Sequence, residues 1–397
     1  MRGIDGLDEV TARWLTTAGR PAVSRAAALF AEGEGALRVG VVLREGGLPP
    51  EFAAAAAMAA RARLDAAASG WDEDELFTTT TALEQASHPL VARWRARRFA
   101  GRDVADLCAG TGSDAAALAT TAQRVIAVER DRVRVVLLAH NLRDRRAVAV
   151  RADALRPPVG RDVAIHADPS RRTPRGRVRR LADYVPAVPG LLAATARAPG
   201  HAITVSPAVD LDDPDVPADT EIEFIAVQGR LVEAVLWSGE LRRTGVHATA
   251  TLLPAEHVWS RTTPAIGQVT TAPIGPILVE PNPALVRARA HDGLAERIGA
   301  QRVSRVRALL TAQADPGPSP WYRRWAVEAV LPAHQRAVRT WIRSVPEAPL
   351  EIATAGIEAS PSAWWEALGR PQRGPNGRRL WLLRLDEGGV AVVCRSI

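Results

Sequence analysis

The chain has 397 residues, of which 47% are hydrophobic and 24% are charged, and its formal net charge is +7. This composition excludes a fibrous or fully disordered protein and predicts two or three globular domains. The basic balance is compatible with a polyanionic partner. All 51 basic residues are arginine, a bias that a GC-rich genome also explains.

Cysteine usage and apolar segments exclude further classes. Cys108 and Cys394 are far apart, so neither a disulfide framework nor a zinc site can be built, and we expect no metal. The first five residues lack an apolar signal core, and the alanine run at 53–57 is too short for a membrane span. We therefore expect a cytoplasmic protein without membrane association, and the sequence leaves its oligomeric state open.

The first part of the chain, residues 1–90, is predicted to be a helical region. Alanine and leucine favour helices at 8–17, 22–38, 50–69 and 83–98. The Gly-Gly-Leu-Pro-Pro segment at 46–50 predicts a break between the second and third of them.

Short apolar runs alternate with helices from residue 102 onward. Strands are expected at 104–107, 125–128, 147–150, 163–166 and 202–205, and helices at 115–121, 130–142 and 181–196. This alternation is typical of a parallel, doubly wound α/β sheet. A hairpin at 221–227 and 231–237 and a strand at 246–253 would close the sheet with antiparallel strands. We assign residues 91–255 to this domain.

Closely spaced prolines predict a linker at 256–280, followed by a smaller α+β domain at 281–397. In that domain helices are expected at 284–299, 332–344 and 360–369. Strands are expected at 325–330, 350–354, 379–385 and 390–395.

The most informative motif follows the first predicted strand. After Asp106, the turn contains Gly110 and Gly112, which would let backbone amides approach a ligand at a helix N-terminus. Glu129 ends the second strand, where an acid can accept both ribose hydroxyls, and Asp153 ends the third. Each acid alone is more often a cap or turn residue. The ordered set predicts a nucleotide-like cofactor at one edge of the sheet.

A second motif follows the fourth strand. Asp168 is the candidate to orient or deprotonate the nucleophile, and with Pro169, Ser170 and Arg171 it forms the candidate catalytic segment. His166 would share a sheet face with Asp168, but a buried, hydrogen-bonded histidine is the simpler interpretation.

The residues after this motif are rich in arginine and contain no acid. They form either a solvated surface loop or a set of phosphate contacts that position a nucleic acid over Asp168. The candidate RNA-binding residues are Arg171, Arg172, Arg175, Arg177, Arg179 and Arg180.

These motifs, in this order, resemble class I S-adenosylmethionine-dependent methyltransferases. Cys108 replaces the first glycine, as in RNA-modifying members, and Ala115 stands where a nicotinamide-binding dehydrogenase would have its third glycine. Ser170 and Arg171 depart from the Pro-aromatic pair of amino-methylating members. The resemblance implies a Rossmann-like sheet that binds S-adenosyl-L-methionine. The cofactor-binding residues that it implies are Asp106, Cys108, Ala109, Gly110, Thr111, Gly112, Glu129, Arg130, Asp153 and Ala154.

A bacterial group of these enzymes with a C-terminal THUMP-like domain is similar over roughly residues 75–397. The segment 83–93 resembles the segment that precedes the group's cofactor motif, which makes Gln85 and Ser87 candidate cofactor contacts. Thr204 departs from the group, in which lysine is expected. Further matching segments lie at 233–237, 280–284 and 325–332. THUMP domains bind RNA, commonly tRNA, so the resemblance implies an RNA substrate by analogy.

The sequence therefore predicts a Rossmann-like α/β domain between an N-terminal helical region and a C-terminal α+β THUMP-like domain. The expected activity is S-adenosylmethionine-dependent methyl transfer to an RNA base in tRNA or rRNA. A covalent protein–base intermediate needs a cysteine nucleophile beside the substrate. Neither Cys108 nor Cys394 comes directly after the Asp-Pro motif, so we expect no such intermediate. Two alternatives stay open: a methyltransferase acting on a small molecule or protein, and a non-catalytic RNA-binding protein that keeps the cofactor fold.

Overall fold

A computed structural model describes residues 6–71, 77–173, 176–262, 270–305, 308–345, 350–372, 377–386 and 388–397. The chain forms two compact units. One comprises Met1–Val227 with Val232–Val246, and the other comprises Gln228–Leu231 with His247–Ile397. Within the described residues, no helix is both long enough and apolar enough to cross a membrane.

Helices make up the first part of the first unit. Their bounds are α1 (Glu9–Thr16), α2 (Arg20–Ala31), α3 (Ala36–Glu45), α4 (Pro50–Ala68), α5 (Thr80–Gln85) and α6 (Pro89–Ala96). The carboxylate of Asp8 caps α1 by accepting a hydrogen bond from Thr11 N at 2.8 Å. Both α4 and α6 begin with proline, which lacks the N–H that a helix start leaves unpaired.

Two helices that the sequence predicts as continuous are each divided in the structure. The helix expected at 22–38 is divided, because Gly33 has a φ of +91° after the end of α2. The helix expected at 83–98 is divided as well. Pro89 disfavours helical backbone at His88, which has a ψ of 134° and instead caps α6.

The sheet of the first unit follows these helices. The elements are β1 (Asp103–Leu107), α7 (Ser113–Leu118), β2 (Arg124–Glu129), α8 (Arg132–Asn141), β3 (Ala147–Arg151), β4 (Ala164–Ala167), β5 (Arg172–Thr173), β6 (Gly176–Arg177), α9 (Val188–Ala194), β7 (Gly200–Val205), β8 (Glu221–Val227) and β9 (Arg230–Gly239). Within this unit the strand order is β8-β9-β7-β4-β1-β2-β3, and β5 and β6 form a separate small hairpin.

The strands β3, β2, β1, β4 and β7 are parallel, and β9 runs antiparallel to β7. This arrangement confirms the predicted parallel sheet closed by an antiparallel hairpin. The chain order reverses between β1 and β4, and in open α/β sheets a ligand crevice lies at the carboxyl ends of the strands at such a point.

The N-terminal helices do not form a separate core. Apolar side chains of α1 to α4 pack in one buried cluster with Val133 and Leu137 of α8. Residues 1–90, predicted as a region of their own, therefore belong to the same compact unit as the sheet.

The second unit contains helices as well as strands, and most of its strands form one mixed sheet. Its elements are β10 (Ala248–Leu253), β11 (His257–Arg261), β12 (Ile277–Pro281), α10 (Pro283–Arg287), α11 (His291–Ile298), β13 (Gln301–Arg302), β14 (Leu310–Ala312), β15 (Tyr322–Pro332), α12 (Gln335–Arg343), β16 (Leu350–Ala355), α13 (Pro361–Ala367), β17 (Arg378–Leu385) and β18 (Gly388–Ser396). One sheet has the order β13-β14-β12-β15-β18-β17-β16, and alternate residues of β17 and β18 are buried in apolar clusters on its two faces. Its pairs are antiparallel except β16 with β17.

The proline-rich linker predicted at 256–280 is corrected by the structure. It contains β11 and most of β12, while residues 263–269 lie outside the described residues. The compact units instead divide at Val246. Proline is tolerated at strand ends and sheet edges, so proline spacing alone placed the boundary too late.

Candidate active site

The turn between β1 and α7 is shaped by glycine. Gly110 has a φ of +58° and Gly112 a φ of +97°. A Cβ on Gly112 would lie 2.7 Å from Leu138 Cδ1, so glycine allows α8 to pack closely against the turn. A Cβ on Gly110 would meet no protein atom within 4 Å. The turn is therefore packed on one side and open on the other.

Glu129 ties this turn to the end of β2. Its carboxylate is 6% exposed; Oε2 accepts a hydrogen bond from Gly110 N at 3.0 Å, and Oε1 accepts from Arg130 N and Asp131 N at 2.8 and 2.9 Å. A carboxylate accepts about four hydrogen bonds. Glu129 therefore fixes the turn and retains capacity for a ligand hydroxyl.

A cavity of about 870 Å³ opens at the carboxyl ends of the parallel strands. Every predicted cofactor residue except Asp106 and Gly112 lines it. The whole candidate catalytic segment lines it too, together with Arg172. The lining residues predicted from sequence are Gln85, Ser87, Cys108, Ala109, Gly110, Thr111, Glu129, Arg130, Asp153, Ala154, Asp168, Pro169, Ser170, Arg171 and Arg172.

Asp106 lies outside the cavity lining, which does not fit its predicted cofactor contact. It is 1% exposed, and its Oδ1 lies 2.6 Å from Nδ1 of the fully buried His166. Burial raises the pKa of Asp106. This contact links the neighbouring strands β1 and β4, so Asp106 stabilises the end of the strand that leads into the turn. The prediction of a buried, hydrogen-bonded His166 is confirmed.

Asp168 follows β4, and its backbone N donates to Leu107 O at 3.3 Å. Burial, and next the nearby carboxylates of Asp114 and Glu233, raise the pKa of Asp168 to about 7 against the opposing effect of Arg95 and His166. A carboxyl with a pKa near neutrality is suited to accept a proton from a ligand and release it again.

The segment after Asp168 is held by backbone pairing. Ser170 N donates to Val185 O at 3.0 Å, and Val185 N donates back at 2.9 Å. Arg171 is half-buried, while Arg172 is exposed and lies 3.5 Å from Glu84.

The remaining candidate RNA contacts are not gathered at the cavity. Arg179 and Arg180 are exposed and do not line it. Arg175 and the side chain of Arg177 lie outside the described residues.

The sequence interpretation missed Arg95. Its side chain is 1% exposed; NH1 donates to Thr204 Oγ1 at 3.0 Å and to Glu233, and NH2 donates to Ser87 Oγ at 2.9 Å and to Asp114. Thr204, where the resemblance leads us to expect lysine, thus contacts a guanidinium from α6. The sequence does carry a signal for this arginine. Arg95 lies on the same face of α6 as Val91, Ala92 and Ala96, so the helical spacing places a charged residue on the apolar, buried face.

Cys108 lines the cavity but is not an activated thiol. Burial, and next the carboxylate of Glu129, raise the pKa of Cys108 far above its ordinary value. The thiol therefore stays protonated at neutral pH and is a poor nucleophile.

Strand order and turn geometry together define a Rossmann-like methyltransferase fold. A methyltransferase relative from Mycobacterium tuberculosis, in strains CDC 1551 / Oshkosh and H37Rv, is 32% identical over 326 residues, which is 80% of this chain and 88% of the relative. It is described as an uncharacterized S-adenosylmethionine-dependent methyltransferase. This chain therefore belongs to the S-adenosylmethionine-dependent methyltransferases, and S-adenosylmethionine is its cofactor.

Two further comparisons describe the fold. Residues 322–396 match the THUMP domain-like family. A solved structure from Porphyromonas gingivalis W83, provisionally described as a methyltransferase, superposes with a TM-score of 0.76 at 22% identity and covers 98% of this chain and 99% of its own. The predicted Rossmann-like domain and C-terminal THUMP-like domain are confirmed.

Proposed function

We propose that this enzyme methylates a base of tRNA or rRNA without a covalent protein–base intermediate. The observation that carries the proposal is the position of Asp168 to Arg171. This segment lines the same cavity as the cofactor turn and continues directly into the arginine-rich loop.

The residues at the cavity fit S-adenosylmethionine. Glu129 has a free acceptor position for a ribose hydroxyl, Asp153 lies at the end of β3 for the base, and the open space beside Gly110 admits the cofactor chain. The bound cofactor supplies a methyl group on a positively charged sulfur. Gln85 and Ser87 close the cavity from the α5–α6 segment.

Asp168 faces the acceptor in this proposal. A partly buried carboxylate orients the nucleophile by accepting its hydrogen bond and takes up the proton released on transfer. With a pKa near 7, it is ionised in a large part of the molecules at neutral pH.

Arginine side chains support an RNA substrate. Arg171 and Arg172 line the cavity, and Arg179 and Arg180 are exposed further along the same segment of the chain. Guanidinium groups bind phosphate and stack on bases.

The THUMP-like region adds a second basic surface. Arg336, Arg339 and Arg343 are exposed along α12 at a spacing that places them on one side of the helix. We infer that this surface contacts the RNA backbone.

The experiment that tests the proposal is transfer of labelled methyl groups from S-adenosylmethionine to total RNA. We expect incorporation that is lost after nuclease treatment and in the Asp168→Ala variant, which should still bind the cofactor. Incorporation that survives nuclease would instead indicate a small-molecule or protein substrate. Cofactor binding without transfer to any pool would indicate a non-catalytic RNA-binding protein.

A further inference from the structure

The floor of the cavity carries more carboxylates than cations. Asp114, Asp168 and Glu233 line it, and Arg95 is bonded to two of these three. Arg95 does not line the cavity, and both of its terminal nitrogens already donate to protein atoms. The guanidinium therefore offers its donors to the protein rather than to a ligand.

The Ser87 hydroxyl at this floor is also committed. Ser87 Oγ donates to Asp114 Oδ2 at 3.0 Å and accepts from Arg95. Thr204 Oγ1 accepts from Arg95 at 3.0 Å. An ionised carboxylate only accepts hydrogen bonds, so the floor favours a ligand group that donates them. A phosphate, carboxylate or carbonyl oxygen would meet repulsion there.

Arg95 determines where Glu233 lies. Glu233 is on β9, Asp114 on α7 and Ser87 in the segment between α5 and α6, so one buried guanidinium joins three separate elements. Removing one partner from such a cluster leaves a buried charge uncompensated. This geometry gives Glu233 a fixed position facing the same cavity as Asp168.

We propose that Glu233 binds the methyl acceptor together with Asp168, and that Arg95 is the positioning residue that holds Glu233. The floor then selects an amino nitrogen carrying two N–H groups, because such a nitrogen donates to both carboxylates whereas a hydroxyl donates only once. The inference rests on the proposed function, because it places the acceptor at Asp168. The acceptor nitrogen uses its lone pair to form the bond to the methyl carbon. The carbon–sulfur bond breaks with its electrons left on sulfur, and the surplus N–H proton passes to Asp168.

Chemical identification of the product tests this selection. The enzyme is incubated with labelled S-adenosylmethionine and separate pools of RNA, protein and small molecules, and mass spectrometry assigns each product as N-, O- or C-methylated. We expect N-methylation. An O- or C-methylated product overturns the inference, even if the acceptor is RNA. N-methylation that resists nuclease refutes the RNA substrate and keeps the inference about the floor.

Glu233→Gln tests the residue itself, with Glu221→Gln as a matched control. Both glutamates are buried and bonded to an arginine, but Glu221 does not line the cavity. We expect Glu233→Gln to raise the KM for the acceptor about tenfold or more, with cofactor affinity unchanged. The groups that interact with Asp168 are Arg95, Cys108, Asp114, His166, Tyr184 and Glu233. Because Glu233 raises the pKa of Asp168, its neutralisation should also shift the acidic limb of the pH–rate profile to lower pH.

A structural role alone would affect both variants in the same way. Equal losses of activity and melting temperature in Glu233→Gln and Glu221→Gln, with an unchanged pH profile, would overturn the assignment of Glu233. Arg95→Lys should keep part of the activity that Arg95→Met loses, because it retains the charge. Equal activity in these two variants would remove Arg95 as a positioning residue.

Discussion

Each compact unit contains a buried arginine between two carboxylates, and the two clusters differ in their access to solvent. In the first unit Arg95, Asp114 and Glu233 have side chains that are 1%, 8% and 9% exposed. In the second unit Arg379 is 11% exposed, whereas its partners Glu280 and Glu351 are 29% and 38% exposed. The arginine–carboxylate cluster is therefore shielded from water in the first unit, where we call it the dry cluster. In the second unit it is partly exposed to water, and we call it the wet cluster.

The surroundings of the two clusters differ as well. The Arg379 guanidinium lies over the rings of Trp325 and Trp381, at 4.2 and 5.3 Å from their centres, so it packs the sheet of the second unit. The carboxylates bonded to Arg95 line a cavity and raise the pKa of Asp168. In this protein the arginine–carboxylate cluster that is shielded from water borders the cavity, whereas the solvent-accessible cluster packs against tryptophan rings.

The largest expected effect lies at Asp168. Asp168→Asn keeps the shape of the side chain but removes the base, so kcat/KM for methyl transfer should fall about 10²- to 10⁴-fold. Calorimetry should show unchanged affinity for S-adenosylmethionine. Glu351→Gln, in the wet cluster, should retain the wild-type kcat. A comparable loss of kcat in both variants would show that the two clusters do not differ in their role in catalysis.

The next effect concerns stability. Arg95→Met leaves two dry carboxylates without a neutralising cation and should lower the free energy of unfolding by about 3–5 kcal/mol. Arg379→Met leaves carboxylates that reach water, so the loss should be about 1–2 kcal/mol. Urea unfolding, followed for each unit's own transition, measures both. Equal losses would contradict the difference in solvent access.

Much of the site follows from the sequence, because local rules fix it. Parallel strands end at one edge of the sheet, so the position of each motif after its strand brings Gly110, Glu129, Asp153 and Asp168 to one cavity. The apolar runs predict the central strands β1, β4 and β7 because these strands are buried on both faces.

Other features depend on tertiary packing. All basic residues in this chain are arginine, so composition does not distinguish the buried Arg95 from its exposed neighbours. Glu233 reaches the cavity only because β9 pairs with β7. Asp106 was assigned to the cofactor because its motif position suggested it. Its contact with His166 arises from the pairing of β1 with β4, which the motif does not encode.

A pH-dependent effect on stability is the third expectation. The pKa of Asp168 rises from 3.8 to about 7 on folding, so the folded protein holds this proton more tightly than the unfolded chain. The stabilising contribution is complete below about pH 4 and is lost as the pH rises through about 7. Asp168→Asn should therefore be more stable than the wild type at about pH 8, by on the order of a few kcal/mol. The difference should shrink toward about pH 4, and a difference independent of pH would contradict the raised pKa.

The smallest effect is expected at the rim of the cavity. Arg171→Gln with Arg172→Gln should weaken RNA binding a few-fold and reduce the slope of log K against log[salt] by about one unit or more. The control is Arg13→Gln with Arg61→Gln, which removes the same charge from exposed positions of α1 and α4. Identical salt slopes in the two double variants would remove the loop from RNA binding.

A crystal structure with bound S-adenosylhomocysteine would show whether the cofactor and the acceptor share this cavity. The predicted result is density in the cavity with a ribose hydroxyl within hydrogen-bond distance of Glu129, and space left for an acceptor between Asp168 and Glu233. Density at another surface, or a cofactor that fills the floor beside Glu233, would contradict the assignment of this cavity to cofactor and acceptor together.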